Sequence, residues 1–259
     1  MATPFLMYHE LGVPGRTACE DAPGYLRYVV DRSVFLEHLD LLSAHHMHVC
    51  GVAEACGRGL DSPNQVAITF DDGCATDAEV AAPLLAARGF GATFFIVSGW
   101  VGTRRGFMTT AQVRELHAQR FAIGSHSATH AFLSDLPDAA LVEELRGSRH
   151  AIEDMLGAPV RHLSCPGGRW SARVAAAARD AGYDTVSTSR PGANAASHAR
   201  YALGRDAIRR NMARRRVEAI CRGRRPLGTQ FQAAILNGAR RALGNRLYGG
   251  LRNLALRQP

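Results

Sequence analysis

Val66-Ala67-Ile68-Thr69-Phe70-Asp71-Asp72-Gly73 is the stretch on which the rest of the sequence turns. Its β-branched, aromatic and small apolar residues suit a strand buried on both faces. The run stops at two adjacent carboxylates and a Gly, where a strand gives way to a turn. A helix is expected next, over roughly residues 77–88, closed by Gly89. Strand, turn and helix in that order open a parallel α/β unit.

The alternation extends both ways. Upstream, residues 5–8 form a short apolar run ending in His9, and residues 11–24, with three Gly, form a loop. Residues 33–46 read as an amphipathic helix with Val34, Phe35, Leu39, Leu41 and Leu42 on its apolar side and Ser33 as N-cap. Downstream, residues 92–97 make another buried strand. Thr109 and Gln112 form a capping box for a helix to about residue 120. Residues 121–124 form a strand leading to His126, and residues 138–156 a long helix ended by Gly157 and Pro159. A strand over 161–165, a helix over 171–181 and a strand over 183–189 follow. Apolar strands alternating with helices predict a parallel sheet covered by helices, with an open doubly wound sheet and a barrel both compatible.

The bulk properties agree. The 259 residues are enough for one large domain with its own core. Hydrophobic residues at 46% and charged residues at 21% exclude disordered and fibrous classes. Six scattered cysteines, with no C-x-x-C pair, point to free thiols rather than a thiolate zinc motif or a disulfide framework. The N-terminus has neither the charged nor the apolar part of a signal peptide, and no apolar run is long enough to span a membrane. The expectation is a cytoplasmic protein, peripheral at most to the inner face of the membrane.

Three polar clusters fall at expected strand ends: His9, Asp71-Asp72, and His126 with His130. In parallel α/β folds that is where sites are built. Two His four apart meet on one face if the segment turns helically. Two imidazoles and a carboxylate make a three-ligand face for a catalytic metal. A second carboxylate beside such a metal stays ionised and can take a proton. Seen alone, each feature has a plainer reading. Asp-Asp-Gly can cap a helix, and with 11 His in the chain such a spacing arises by chance.

Taken together, Thr69-Phe70-Asp71-Asp72-Gly73 and Gly124-Ser125-His126-Ser127-Ala128-Thr129-His130, with Ala92-Thr93-Phe94-Phe95 between them, resemble the polysaccharide deacetylase family. That resemblance covers roughly residues 5–210 and implies an irregular (β/α) barrel, often seven-stranded. It implies Asp71 as general base and Asp72, His126 and His130 as ligands of a divalent metal, usually Zn2+, with other transition metals able to substitute. Leu163-Ser164-Cys165-Pro166-Gly167-Gly168 is similar to the family's third motif. It implies Pro166, Gly167 and Trp170 at the substrate, with the Gly167 amide in the oxyanion hole. Two departures stand out. Ser164 replaces an Arg that orients the base, so that another Arg (Arg169 is one candidate) takes over or the base is held differently. The late motif with a general-acid His is not evident, and Tyr201-Ala202-Leu203-Gly204-Arg205 has no His.

Phe5-Leu6-Met7-Tyr8-His9-Glu10 resembles the start of a circularly permuted branch that includes deacetylases of biofilm poly-N-acetylglucosamine. In that branch the strand bearing the acid His comes first, which implies His9 as the proton donor to the leaving amine. The implied reaction is metal-assisted hydrolysis of the N-acetyl group of an amino sugar, releasing acetate. A metal amidohydrolase acting on a non-sugar amide or imide, and a non-catalytic glycan-binding protein, are the competing readings.

The net charge of +8 is carried by the C-terminus. All 31 basic residues are Arg, and residues 205–259 hold fourteen of them against Asp206 and Glu218. A boundary is therefore placed after residue 210, with 211–259 as a basic, partly amphipathic helical extension. Phe231, Ile235, Leu236, Leu243, Leu247, Leu251 and Leu254 recur there at near-helical spacing. Such a segment suits an anionic membrane surface or packing on the barrel. Sparse aromatics argue against nucleic acid as a partner.

Overall fold

The structure, a computed structural model describing residues 2–224, is built on a curled parallel sheet. Its strands in chain order are β1 (Thr3–Tyr8), β2 (Leu11–Gly12), β3 (Val30–Asp31), β4 (His48–Cys50), β5 (Gln65–Phe70), β6 (Thr93–Ile96), β7 (Ala122–Ser125), β8 (His162–Ser164), β9 (Thr185–Ser187), β10 (Ala193–Asn194) and β11 (Asp206–Ala207). The α-helices are α1 (Pro23–Leu26), α2 (Arg32–Ala44), α3 (Val52–Arg58), α4 (Ala82–Ala86), α5 (Thr110–Ala118), α6 (Asp138–Leu156), α7 (Ala172–Asp180) and α8 (Arg214–Cys221). The main sheet runs β10-β1-β5-β6-β7-β8-β9, with β4 pairing β5 and β11 pairing β1. All of these pairings are parallel except β1 with β10. The fold is thus the irregular (β/α) barrel expected, in half-barrel form.

Residues 203–207 reach across the gap between the two sides of the sheet. Leu203 bridges Ser187 at the end of β9, and Leu6 and Met7 of β1 pair with Asp206 and Ala207. Arg205 therefore sits midway across that gap.

Strand alternation sorts side chains between two faces. Leu6, Tyr8, Val66, Ile68, Phe70, Phe94 and Ile96 join the large core under the helices. Phe5, Ala67, Phe95 and Leu203 form a smaller apolar cluster on the other face, with Cys50, Val52, Ala55 and Leu60. Asp71 follows Ala67 and Thr69 at period two, so the same alternation aims it to that inner face. Behind the sheet, Phe35, Tyr8, Phe70 and Phe94 form a row of rings with centroids 5.1–5.7 Å apart. The residues immediately before His9 and Asp71 are therefore fixed in an aromatic stack, each pair contributing roughly 0.5–1.5 kcal/mol beyond area burial.

The long helix α6 shows how the sequence sets its own limits. Leu141, Leu145, Ser148 and Ile152 form its buried stripe, each apolar member contributing roughly 1.5–3 kcal/mol. Gly157 ends it in the left-handed conformation, at φ 66°. The capping box of Thr109 and Gln112 is present at α5. Two expectations are corrected. Asp31, not Ser33, precedes α2, and it makes no side-chain cap; Ser33 lies inside the first turn. The helix expected over 77–88 begins as a π-helix, Asp77–Ala81, before α4.

α8 lies beyond residue 210 and packs on the domain, with Val217, Ile220 and Cys221 in the large core. The amphipathic pattern noted over 230–256 lies outside the described residues. Among the described residues no helix is long and apolar enough to cross a membrane.

His38 on α2 is fully buried, its Nδ1 3.0 Å from the Tyr8 hydroxyl. Burial first, and the Arg214 charge second, lower its pKa from 6.5 to about 4. The unfolded chain protonates this group at higher pH than the folded one does. Stability is therefore lost as pH falls from about 6.5 towards 4, by up to about 3 kcal/mol. His162, lowered to about 4 mainly by burial, adds to the slope. The urea midpoint is expected to drop between pH 7 and pH 5, and His38→Gln to flatten that drop. A variant with the wild-type pH slope would contradict the assignment.

Candidate active site

His9 and Asp71 leave the sheet side by side. β1 and β5 are parallel with Tyr8 opposite Phe70, and the Asp71 N–H donates to the Tyr8 carbonyl at 3.0 Å. The backbone then turns sharply. Asp72 has φ 79° and Gly73 φ 82°, and a Cβ on Gly73 would lie 3.0 Å from Ile96 Cγ2. Glycine is required at 73. The left-handed Asp72 costs about 1 kcal/mol, a strain that often marks functional positions. Asp72 Oδ1 is buried and has no hydrogen-bond partner among the described residues. A capping role would have given it a backbone N–H.

His126 and His130 come together in a loop rather than the helical turn that their spacing predicts. Ser127 and His130 both have φ 66°. The N–H groups that a helix would have used are taken by side chains. The Ser127 N–H donates to Ser125 Oγ and that of His130 to Ser127 Oγ. Those of Ala128 and Thr129 donate to Glu144 of α6 at 2.8 and 3.0 Å. The two imidazole centroids end 5.0 Å apart.

His126 Nδ1 is 2.9 Å from the Ser164 carbonyl oxygen. A carbonyl only accepts, so Nδ1 carries the proton and the Nε2 lone pair faces the acids. His126 Nε2 lies 3.4 Å from Asp72 Oδ1, and so does His130 Nε2. The three donor atoms lie within 4.8 Å of one another. Bonds of about 2.0–2.2 Å in tetrahedral geometry put ligand atoms about 3.4 Å apart. The unpartnered Asp72 oxygen and the imidazole–carboxylate donor set thus fit a zinc-type divalent ion. The hydrogen bond of His126 to a carbonyl is the outer-shell contact that such ligands use.

Asp71 is buried beside them, its Oδ2 3.9 Å from His126 Nε2. Arg205 grips it with both nitrogens, NH1 to Oδ1 at 2.6 Å and NH2 to Oδ2 at 2.7 Å. The same guanidinium donates to Thr69 Oγ1, Ser164 Oγ and the Thr188 carbonyl, and Ser164 Oγ donates to Asp71 Oδ2 at 3.1 Å. Arg205, not Arg169, is the Arg that faces Asp71 in this chain. Arg169 lies over the Phe132 ring at 4.3 Å and near Asp135. The short hydroxyl of Ser164 leaves room for a guanidinium arriving from the opposite side of the sheet.

Burial pushes the Asp71 carboxyl up, but Arg205 first, then His126 and His9, hold it below the usual carboxylate range. Burial likewise raises Asp72, and His130, His9 and His126 outweigh it. Burial lowers His126 to about 4 against the opposing pull of Asp71. Its imidazole is neutral at neutral pH, the form that ligates metals. His130 is raised, because Asp72 outweighs its burial. The His9 ring stacks on Tyr28, centroids 4.8 Å apart.

Pro166 is buried and Gly167 follows at φ 58°, where a Cβ would lie 2.7 Å from the Phe132 ring. Trp170 is placed differently from the acid–His cluster. Its Nε1 donates to the Tyr201 carbonyl at 2.5 Å, Arg190 lies over its ring at 4.4 Å, and it lines a shallow groove with Ala175, Arg179 and Tyr201.

Residues 59–186 match the model of the polysaccharide deacetylase family. YxkH of Bacillus subtilis (strain 168), a protein named after the polysaccharide deacetylases, is 31% identical over 140 residues, which is 54% of this chain and 50% of that protein. The chain thus spans about half the length of this curated relative. A Bacillus cereus polysaccharide deacetylase has a similar structure, with a TM-score of 0.74, 22% identity and coverage of 85% of this chain and 69% of that one. IcaB from Ammonifex degensii has a TM-score of 0.72 at 24% identity, covering 85% of this chain and 97% of that one.

Proposed function

We propose that this chain, which carries a polysaccharide deacetylase domain, is a metal-dependent hydrolase that removes the N-acetyl group of an amino sugar and releases acetate. One observation carries the reading. A carboxylate kept ionised by a two-pronged Arg stands beside a second carboxylate and two imidazoles at metal-ligand spacing. Binding alone needs no base beside such a donor set, and Arg205 supplies what Ser164 lacks.

Asp72, His126 and His130 would hold the ion. Bound there, a divalent ion supplies Lewis-acid polarisation of an acetyl carbonyl and of water. Asp71 accepts the proton of the attacking water. Arg205 and Ser164 fix the orientation of its carboxylate, so little reorganisation accompanies that transfer. His9, level with Asp71 across the β1–β5 pair, donates a proton to the departing nitrogen, a role suited to imidazole near neutrality. The Gly167 amide, in its left-handed turn after Pro166, is the donor assigned to the developing oxyanion.

The test is acetate release from a panel of N-acetylhexosamine oligomers and glycosides by the zinc-loaded chain. Release that a chelator stops and zinc restores is the expected result. Stoichiometric zinc with no acetate from any sugar would move the reading to a non-sugar amide.

A further inference from the structure

A second set of donor atoms lies next to the acid–His cluster, and nothing in the reaction above uses it. Glu10, Cys19 and Cys74 each present one ligand atom, all within 4.8 Å of one another. They come from three separate segments. Glu10 follows His9 after β1, Cys19 lies in the loop between β2 and α1, and Cys74 is two residues beyond Asp72. Glu10 and Cys74 are buried and Cys19 is half-buried, and both cysteines are free thiols.

The carboxylate is already oriented. The Cys19 N–H donates to both Glu10 oxygens, at 3.2 and 2.9 Å, and the Tyr25 hydroxyl donates to Oε2 at 2.8 Å. That hydroxyl is also 3.1 Å from Cys74 Sγ. Cys19 Sγ lies 3.0 Å from the Gly106 carbonyl.

Asp77 adjoins this set, its N–H donating to the Cys74 carbonyl at 3.0 Å. It is wholly buried, and neither carboxylate oxygen has a hydrogen-bond partner among the described residues. Burial first, and then the charges of Asp72, Cys19 and Glu10, push its carboxyl well above the usual carboxylate range. Two carboxyl groups and two thiols are thus gathered in low dielectric. Arg16 is within electrostatic reach of Glu10 and Cys19, but its guanidinium is paired with Glu79 at the surface. A cation joining them would stabilise their ionised forms, which burial otherwise disfavours. A cavity of about 550 Å³, lined by Glu10, Arg16 and Ala18 among others, borders one of the three donor residues.

We propose that Glu10, Cys19 and Cys74 bind a second divalent transition-metal ion, of the zinc class, distinct from the ion assigned to Asp72, His126 and His130. Thiolates with one carboxylate select such an ion over magnesium or calcium. Each thiol proton passes to solvent as its sulfur–metal bond forms, and the carboxylate binds as it stands. The ion would tie the residue after His9 and the turn after Asp72 to one loop, a strut for the base and acid candidates.

Cobalt titration of the reduced, metal-free full chain separates the two sites. Thiolate–cobalt charge transfer in the near-ultraviolet reports sulfur ligands, which the Asp-His-His set lacks. Two ions per chain with that band are expected in the wild type. The double variant His126→Ala/His130→Ala should keep the band and bind one ion. Cys19→Ser, Cys74→Ser and the milder Glu10→Gln should each lose or weaken the band and keep the other ion. Folded wild type binding a single ion without the band would overturn the second site while leaving the first intact. So would a reduced protein whose band survives both cysteine substitutions.

Discussion

Asp71→Asn is expected to lower kcat/KM for acetate release by about 10³-fold, the scale of a lost general base. Asparagine has the size of aspartate but cannot take the proton of an attacking water. Its NH2 group would also face the Arg205 and Ser164 donors that now hold Oδ2. Metal content should not change, because the proposed ligand atoms are those of Asp72, His126 and His130. The paired measurement is therefore bound zinc and initial rate on the same preparation. Near-normal turnover with full zinc would remove Asp71 from the mechanism, and loss of zinc together with activity would make it a ligand instead.

Arg205→Met should act more widely. The substitution leaves Asp71 buried with its main counter-charge gone, and breaking one half of such a pair costs roughly 3–5 kcal/mol. A fall of that size is expected in urea-induced unfolding. The pH dependence of the rate should change as well. Arg205 is the strongest influence holding the Asp71 carboxyl down against its burial. Without it the base stays protonated to higher pH, so the acid limb of the pH–rate profile moves upward and activity recovers as pH rises. Arg205→Lys keeps the charge but loses the fork that reaches both carboxylate oxygens. It should recover part of the stability and less of the rate. An unmoved acid limb in Arg205→Met would show that Arg205 serves packing alone.

That Asp71, Asp72, His126 and His130 would come together was legible in the sequence, because they lie just beyond the apolar strands β5 and β7 and a parallel sheet collects strand ends. The register of β1 against β5 was not legible, and it is this register that sets His9 beside Asp71. Nor was Arg205. It is one of 31 Arg, and its partner lies 134 residues away. The only trace was the departure at Ser164, which left open whether another Arg, with Arg169 as a candidate, takes over or the base is held differently. The segment over 201–205 lacks a His, but the Arg closing it is the residue that reaches Asp71. The loop joining the two imidazoles was also hidden. Its shape depends on Glu144 and on the serine hydroxyls capturing backbone N–H groups, a competition that spacing alone does not reveal.

The strip at 203–207 that crosses the gap between β9 and β1 has a consequence for biosynthesis. A nascent chain emerging from the ribosome already holds His9, Asp71, Asp72, His126 and His130 by the time residue 130 is made. Yet the Asp71 counter-charge is added only at residue 205, long after β1, the partner strand for β11. Until that later segment docks against β1, Arg205 does not reach Asp71. The order of synthesis thus leaves Asp71 without this counter-charge until residue 205 is made, so that products truncated before it would carry the proposed ligands without the contact that holds the proposed base.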